Sequence, residues 1–509
     1  MQFFCVQGVN TMNNGFKITL LATSIFIAAC SVQPVVISEQ EHQARVAEDK
    51  SQLYTDQQPV GAELTLHQAI ARAIRYNLDH RLKVMEQALA SDMLDIARLD
   101  MLPKLTANAG YKGRNNDAGS SSRSLITGNE SLEVSTSQER ERLVGDLGLS
   151  WNVLDFGVSY YRAKEQADRL MIVEERRRKV IHNITQDVRS AYMRALAAQT
   201  VLGDIEPLMQ RMDSALMASR KIENQGLKTP FESLLYQQRL LTSMRQLHEV
   251  RKDLVSARTE LATLMSLPLS TDFKLVRPAD PPLQMNIPAD KLETLALLQR
   301  PELREEGYHD RISAMEIKRT MASLMPSLTL STRYNYDSNE YNKNANWFDF
   351  SAMISGNLLD IVTLNDRLQV AKSQASVVDT RRLALNMAVL SQVHIALLDF
   401  SEASHAYQTD SALNDVEHRL LKYVKASASS QSGNELDVIE REINAVLAKL
   451  QQGESYAQLH SAYGRIFLSI GADPLPERIT SHTIQGLADA LASGESKWSH
   501  LDVEAEQQE

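Results

Sequence analysis

"MLPKLTANAGY" (101–111) and "LMPSLTLSTRY" (324–334) are two versions of one signal. In each, a helix-forming run reaches a proline, Pro103 or Pro326. A helix cannot pass such a residue without losing a backbone bond and clashing with the preceding turn. Beyond it the apolar period drops to two. Leu105, Ala107, Ala109 and Tyr111 alternate with Thr106, Asn108 and Lys112, and Leu328, Leu330, Thr332 and Tyr334 alternate with Thr329, Ser331 and Arg333. One apolar and one polar face at this period is a strand with two different environments.

Working outward, the return strands read likewise. Leu147, Leu149, Trp151 and Val153 alternate with polar or small residues, as do Phe348, Phe350, Ala352 and Ile354. Ser-, Asn- and Gly-rich loops, 113–140 and 337–346, join the strands of each pair. Tyr111, Tyr334 and Trp347 are expected toward one rim and Trp151 toward the other. Hairpins with polar inner faces and aromatic ends suit a membrane barrel enclosing water. Four strands cannot close a wide barrel, so this reading requires several chains.

The landmarks recur in order. The two strand signals are 223 residues apart, as are Arg81 and Arg304, whereas "NVLDFG" (152–157) and "NLLDIV" (357–362) are 205 apart. The first copy therefore carries 18 more residues between Tyr111 and Asp155. A repeat of this size points to duplication of one supersecondary unit. After each hairpin comes a long helical stretch. Residues 363–432 contain neither Gly nor Pro, and as one helix they would span about 105 Å. In the first copy Ile181, Ile184, Val188, Ala191, Ala195, Ala198, Leu202, Ile205, Met209, Met212 and Leu216 form a coiled-coil seam. Pro207 predicts a bend there that the second copy lacks. Each rod then turns. Gly226 suits a C-cap, Thr229, Pro230 and Glu232 start the next helix, and Gly433 closes the second turn. Each half reads as helix, β-hairpin, long helix, turn, helix.

Bulk numbers agree. The 509-residue chain is 43% hydrophobic and 23% charged, which suits a folded protein. Its net charge of −10 argues against nucleic-acid binding. The body has no uninterrupted apolar run of membrane length, so no transmembrane helix is expected. The segment "ITLLATSIFIAAC" (18–30), preceded by Lys17, reads as a secretory signal with its start at Met12. It ends like a lipobox, which implies cleavage before Cys30 and acylation of its thiol. The only other cysteine, Cys5, precedes the cut, so no disulfide is expected. No HExxH, GxSxG, P-loop, GxGxxG or CxxC pattern occurs, and the 12 histidines show no ligand spacing. No enzyme activity, cofactor or metal is expected. His182, His394 and His405 fall on the rods as solvated or wall residues.

The duplicated order, the proline before each hairpin, "NVLDFG" and "NLLDIV" after them, and the Gly-containing turns resemble the TolC-type outer-membrane factors, including their lipidated efflux members. The likeness spans about residues 62–473. It implies a mainly α chain with a small β part. Residues 1–29 would be signal peptide, 30–62 a lipidated extended segment, 63–270 the first repeat, 271–289 a linker, 290–473 the second repeat and 474–509 a polar tail with at most one short helix. A homotrimer would close a 12-stranded β-barrel in outer-membrane lipid above a periplasmic α-helical barrel. The function implied is a passive duct for efflux or type I secretion, served by a periplasmic adaptor and an inner-membrane pump of RND or ABC type.

Residue by residue, the resemblance carries a periplasmic gate to Asp437 and Glu440. Acids in a first helical turn also simply stabilise the helix dipole. It carries adaptor contact to Gly226, Leu227 and Gly433, which equally read as helix caps. Ser233 stands at the position equivalent to Asp437, so a carboxylate latch in the first copy is not expected. The competing reading is a non-conducting coiled-coil scaffold or adhesin-type lipoprotein, against which the alternating hairpins argue.

Overall fold

A computed structural model describes residues 34–131, 133–153, 155–225, 229–285, 287–357, 359–429, 435–476 and 481–499. The signal segment and Cys30 lie outside them. The chain divides into a first unit ending at Gln57 and a second from Gln58 onward.

The first unit corrects an expectation. Residues 30–62 were expected to be extended, yet α1 occupies Glu39–Gln52. Ser38 caps it, its hydroxyl accepting from the Glu41 N–H at 3.2 Å. Glu39 and Glu41 lie in the first turn and Lys50 in the last, which complements the helix dipole. None of its residues is buried, so local bonds alone form it.

The second unit holds both repeats. The first runs through β1 (Glu63–Leu64), α2 (Leu66–Tyr76), α3 (Leu78–Leu99), β2 (Lys104–Gly113), the loop strands β3 (Gly119–Ser120) and β4 (Ser135–Thr136), β5 (Glu141–Asn152), α4 (Asp155–Asn224) and α5 (Pro230–Leu264). Strand β6 (Lys274–Leu275) pairs in parallel with β1. The second repeat runs through α6 (Ala289–Gln299), α7 (Pro301–Ser323), β7 (Ser327–Asp337), β8 (Asn346–Ser355), α8 (Leu359–Ser429) and α9 (Glu435–Ile470), followed by α10 (Ile484–Ser499).

The seam read in α4 is its buried stripe. Val188, Ala191 and Met212 are fully enclosed, and Ile184, Ala195, Ala198, Ile205, Met209 and Leu216 are buried. Their small side chains let α4 pack on α3, α5, α7 and α9. The helix is continuous through Pro207. Helix α8 packs on α6, α7 and α9. Part of it reaches a mean hydropathy of 1.5 with only 22% of that window buried, enough by composition to cross a membrane. The absence of an unbroken apolar run had hidden this. Val370, Val377, Leu383, Met387, Ile395 and Leu398 leave an apolar face of α8 bare.

At the β1–β6 ladder, Tyr192 of α4 ties the start of the first repeat to the segment that follows it. Its hydroxyl lies 2.7 Å from the Leu64 carbonyl and 2.6 Å from that of Val276, and accepts the Val276 N–H at 3.0 Å. Burial pushes this phenol up to about 12. The helix expected in the C-terminal segment forms at Ile484–Ser499. Helix α10 packs on α2, with Leu487, Ala488 and Leu491 buried. Its Glu495 is held by His67 at 2.8 Å and Arg189 at 2.9 Å. Burial alone would raise the Glu495 carboxyl, but the Arg189 charge and the His67 hydrogen bond hold it well below the usual range. A Cβ at Gly464 would meet the Arg189 and Gln186 side chains at 2.6 Å, so a larger residue there has to displace them. His182, expected as a solvated or a wall residue, is a buried one, bonded to Asp473 at 2.7 Å.

Candidate functional site

The two hairpins join into one antiparallel four-stranded sheet, β2–β5–β7–β8. The central pair, β5 with β7, links the two repeats. Direct partners share a face, so the register sorts the side chains. Leu105, Leu149, Thr332 and Phe350 form one row, and Ala107, Leu147, Tyr334 and Phe348 the next. The opposite face carries Thr106, Gly148, Arg333 and Asp349 in one row, and Ser150, Ser331 and Ser351 in another. The expected alternation is what the register shows for most positions, but Val144 opposite Asp337 and Met353 opposite Thr329 are apolar residues on the polar face. Trp347 lies opposite Asn335 and so stands on the polar face.

The polar face is hydrogen-bonded across strands. Asn108 donates to Asp146 at 2.9 Å, Asn335 to Asp349 at 2.7 Å, and Ser331 and Ser351 are 2.6 Å apart. It is also the better covered face. Along β5, Leu143, Leu147 and Leu149 are exposed, while Arg142, Val144, Asp146 and Gly148 are half-buried or buried. The apolar face is largely uncovered among the described residues: Phe350 is 81% exposed and Ile354 73%, while Leu328 and Thr332 are half-buried. Both edge strands, β2 and β8, lack a second partner among the described residues, although each is 10 residues long. Such an edge templates pairing with another chain. Trp151 donates to the Met101 carbonyl at 3.3 Å, which fixes the helical end of the sheet.

At the far end of the rods lie the acids singled out in the sequence. Asp437 and Glu440 are exposed and one turn apart near the start of α9, while Val438 and Ile439 between them are buried. Asp437 has no ion-pair partner among the described residues. Glu440 lies 3.9 Å from Arg239 of α5, both exposed. Gly226, Leu227 and Gly433 lie outside the described residues. Thr229 caps α5 as expected, its hydroxyl 3.5 Å from the Glu232 N–H.

Sequence reasoning missed the strongest polar contact in this region. Glu442, two residues beyond Glu440 in α9, binds Lys425 of α8 at 2.7 Å and Arg211 of α4. Burial would raise its carboxyl, but hydrogen bonds from Lys425 and Arg211 hold it below the usual carboxylate range. A cavity of about 300 Å³ opens here, lined by Asp204, Pro207, Arg211, His418, Glu442 and Lys449 among others. No periodicity could reveal this cluster, because its members come from three rods. Among the described residues no group of His, Cys, Asp and Glu is arranged to hold a metal.

Residues 69–266 match the family model described as outer membrane efflux protein. No curated protein matches the chain by sequence. Several solved structures share its fold. The Campylobacter jejuni CmeC outer membrane channel has a TM-score of 0.64 at 13% identity, over 80% of this chain and 85% of that one. A membrane protein from Pseudomonas aeruginosa has a TM-score of 0.62 at 17% identity, over 80% and 90%. The open state of the Neisseria gonorrhoeae MtrE outer membrane channel has a TM-score of 0.57 at 20% identity, over 78% and 88%.

Proposed function

We propose that this chain, which carries the outer membrane efflux protein domain over residues 69–266 and the channel fold over both repeats, is one protomer of a passive outer-membrane exit duct. The observation that carries the proposal is the four-stranded sheet with one largely exposed apolar face, one bonded polar face and two edges unpaired among the described residues. In water it would be an aggregation site. Joined edge to edge with two further copies, it closes a 12-stranded barrel with lipid outside and water inside.

The helices support the same assembly. The bare face of α8 is too apolar for solvent and too long for a lone surface patch. Neighbouring copies cover it in a helical barrel spanning the periplasm. Asp437 and Glu440 sit at its inner end as a ring of carboxylates that narrows the entrance and favours cations. The turns holding Gly226, Leu227 and Gly433 are the surface for a periplasmic adaptor, through which an inner-membrane pump of RND or ABC type delivers cargo for efflux or type I secretion. Cys30, acylated, anchors the N-terminus in the same membrane.

Planar-bilayer recording of the purified chain tests the duct. Discrete conductance steps from a trimer are expected. A stable trimer that never conducts, even with Asp437 and Glu440 both replaced by Ala, would make the chain a scaffold instead.

A further inference from the structure

The long first loop, residues 114–140, is not needed to close a hairpin, since residues 338–345 do the same task in the second repeat. It is a built structure. Strands β3 and β4 form a small ladder, and Arg123 and Glu130 make a further bridge. Beyond the bridge the chain turns tightly. The Ser124 hydroxyl accepts the N–H groups of Ile126 at 3.3 Å and Thr127 at 3.2 Å. The Ser124 N–H donates to the Asn129 carbonyl at 2.9 Å, and Arg123 donates to the Gly128 carbonyl at 3.0 Å. Gly128 has a φ of +70°, which favours glycine. All these bonds serve a turn whose apex is Leu125 and Ile126, exposed by 102% and 97%. Fixing two apolar side chains at a fully hydrated tip is unfavourable for a lone protomer.

The base of the loop shows which way it leans. Arg142 and Asp337 lie on the polar face and pair at 2.8 Å. Asp337 and the adjoining Asn339 are buried, with exposures of 8% and 4%. At the same level of the apolar face, Tyr111, Leu143 and Tyr336 are exposed. The cover on the polar side comes from the long loop itself. Asn339 donates to the Ser137 carbonyl at 2.9 Å and accepts the Glu139 N–H at 3.1 Å. Arg140 and Asp117 brace the two arms through paired hydrogen bonds of 2.6 Å.

We propose that the loop is a lid over the outer mouth of the duct, and that the occupant of its Leu125–Ile126 tip is the same tip of the other two copies. The inference rests on the trimeric reading above, which places the lumen on the polar side. Twelve strands about 4.8 Å apart and tilted about 40° close at a radius of about 12 Å. The rising arm, residues 114–125, spans up to about 40 Å when extended, so a partly folded hairpin reaches the axis. Three tips meeting there make an apolar constriction, which narrows the ion path and lowers conductance by excluding water. The short second loop is the fulcrum through Asn339.

Ile126→Cys in the full chain tests this, with Ser120→Cys on β3 and the wild type as controls, treated with a bismaleimide in the purified state. Covalent dimers are expected from Ile126→Cys alone, because three thiols at one point join two chains and leave one over. In bilayers, Leu125→Asp with Ile126→Asp on the Asp437→Ala, Glu440→Ala background should raise single-channel conductance at least twofold. A conducting trimer with no Ile126→Cys product, or with unchanged conductance in the Asp variant, overturns the lid and leaves the duct standing. A bimane on Ile126→Cys that is quenched by brominated lipid puts the tip in the membrane and also overturns it. A chain that is monomeric and silent overturns both.

Discussion

Asn77 and Arg300, 223 residues apart, occupy the same joint in the two repeats. Each lies between two consecutive helices and reaches back to the end of its repeat's last rod. Asn77 donates to the Leu264 carbonyl at 3.4 Å, and Arg300 to the Leu468 carbonyl at 3.0 Å. Their local chemistry differs. The Asn77 side chain caps α3, accepting the N–H groups of Asp79 at 2.9 Å and His80 at 3.3 Å. Arg300 makes no cap bond and binds Gln392 at 2.7 Å, in a helix begun by Pro301. Asn77→Ala should therefore cost about 1 kcal/mol, the value of a lost cap. Arg300→Ala should cost about 2–4 kcal/mol, through lost charge-assisted bonds and a rod end left unpaired. Thermal midpoints of the purified protein check the order, and an equal effect of the two substitutions would contradict it.

A second prediction concerns acid. His460 is buried in α9 with its ring 4.7 Å from that of Tyr456, and neither ring nitrogen has a hydrogen-bond partner among the described residues. Arg189 and Arg277 face it, as do Glu495 and Asp280. Burial first, and Arg189 second, push the imidazole down to about 4. Between that value and its ordinary one of about 6.5, only the unfolded chain binds the proton. This contribution is fully present above about pH 6.5 and is lost as pH falls through 4, on the order of 3 kcal/mol in all. Thermal midpoints should fall over that window in the wild type, and His460→Phe should flatten the fall. The depressed carboxylates Glu495 and Asp473 then lose their contribution only at still lower pH. An identical pH profile in the variant would show that another group controls acid stability.

The face assignment of the sheet yields a third prediction. Phe350 and Ser351 are neighbours on β8 with opposite orientations, opposite Thr332 and Ser331 respectively. If lipid covers the apolar face, Phe350→Arg should destabilise the barrel by about 2–4 kcal/mol, depending on its depth. Ser351→Arg places the charge in water and should change conductance and ion preference with little effect on stability. Trimer yield from membranes and heat-induced dissociation on gels separate the two. Equal tolerance of both would mean that the apolar face does not meet lipid.

Much of this architecture was legible because it repeats. Pro103 and Pro326 marked the ends of helices, and the change of period after each marked strands whose register places the alternating residues as read. The seam from Ile184 to Leu216 was readable because a buried helical stripe must recur every three to four residues. The rest fails for physical reasons. Helix α1 buries nothing, so it leaves no apolar period to detect; only Ser38 and the terminal charges signal it. Glu442 looked like any surface acid, because Arg211 and Lys425 come from other rods. The sequence left His182 as either solvated or wall, because its partner Asp473 lies far along the chain. Asp437 and Glu440 were singled out only through resemblance, since an acid near a helix start has an ordinary role in any protein.

Those two acids supply the last prediction. In one protomer they share an exposed turn, and Arg239 stands 3.9 Å from Glu440. Three copies around an axis would gather the carboxylates into a ring whose negative field Arg239 partly offsets. Divalent cations should bind that ring and block current. Asp437→Ala with Glu440→Ala should raise conductance and weaken divalent block, whereas Arg239→Ala should strengthen the block by unmasking Glu440. The opposite sign of the two changes distinguishes a charge ring from a merely loosened helix, which would shift both variants the same way. Unchanged divalent block in the double variant would remove Asp437 and Glu440 from the entrance and leave their charges to the helix dipole alone.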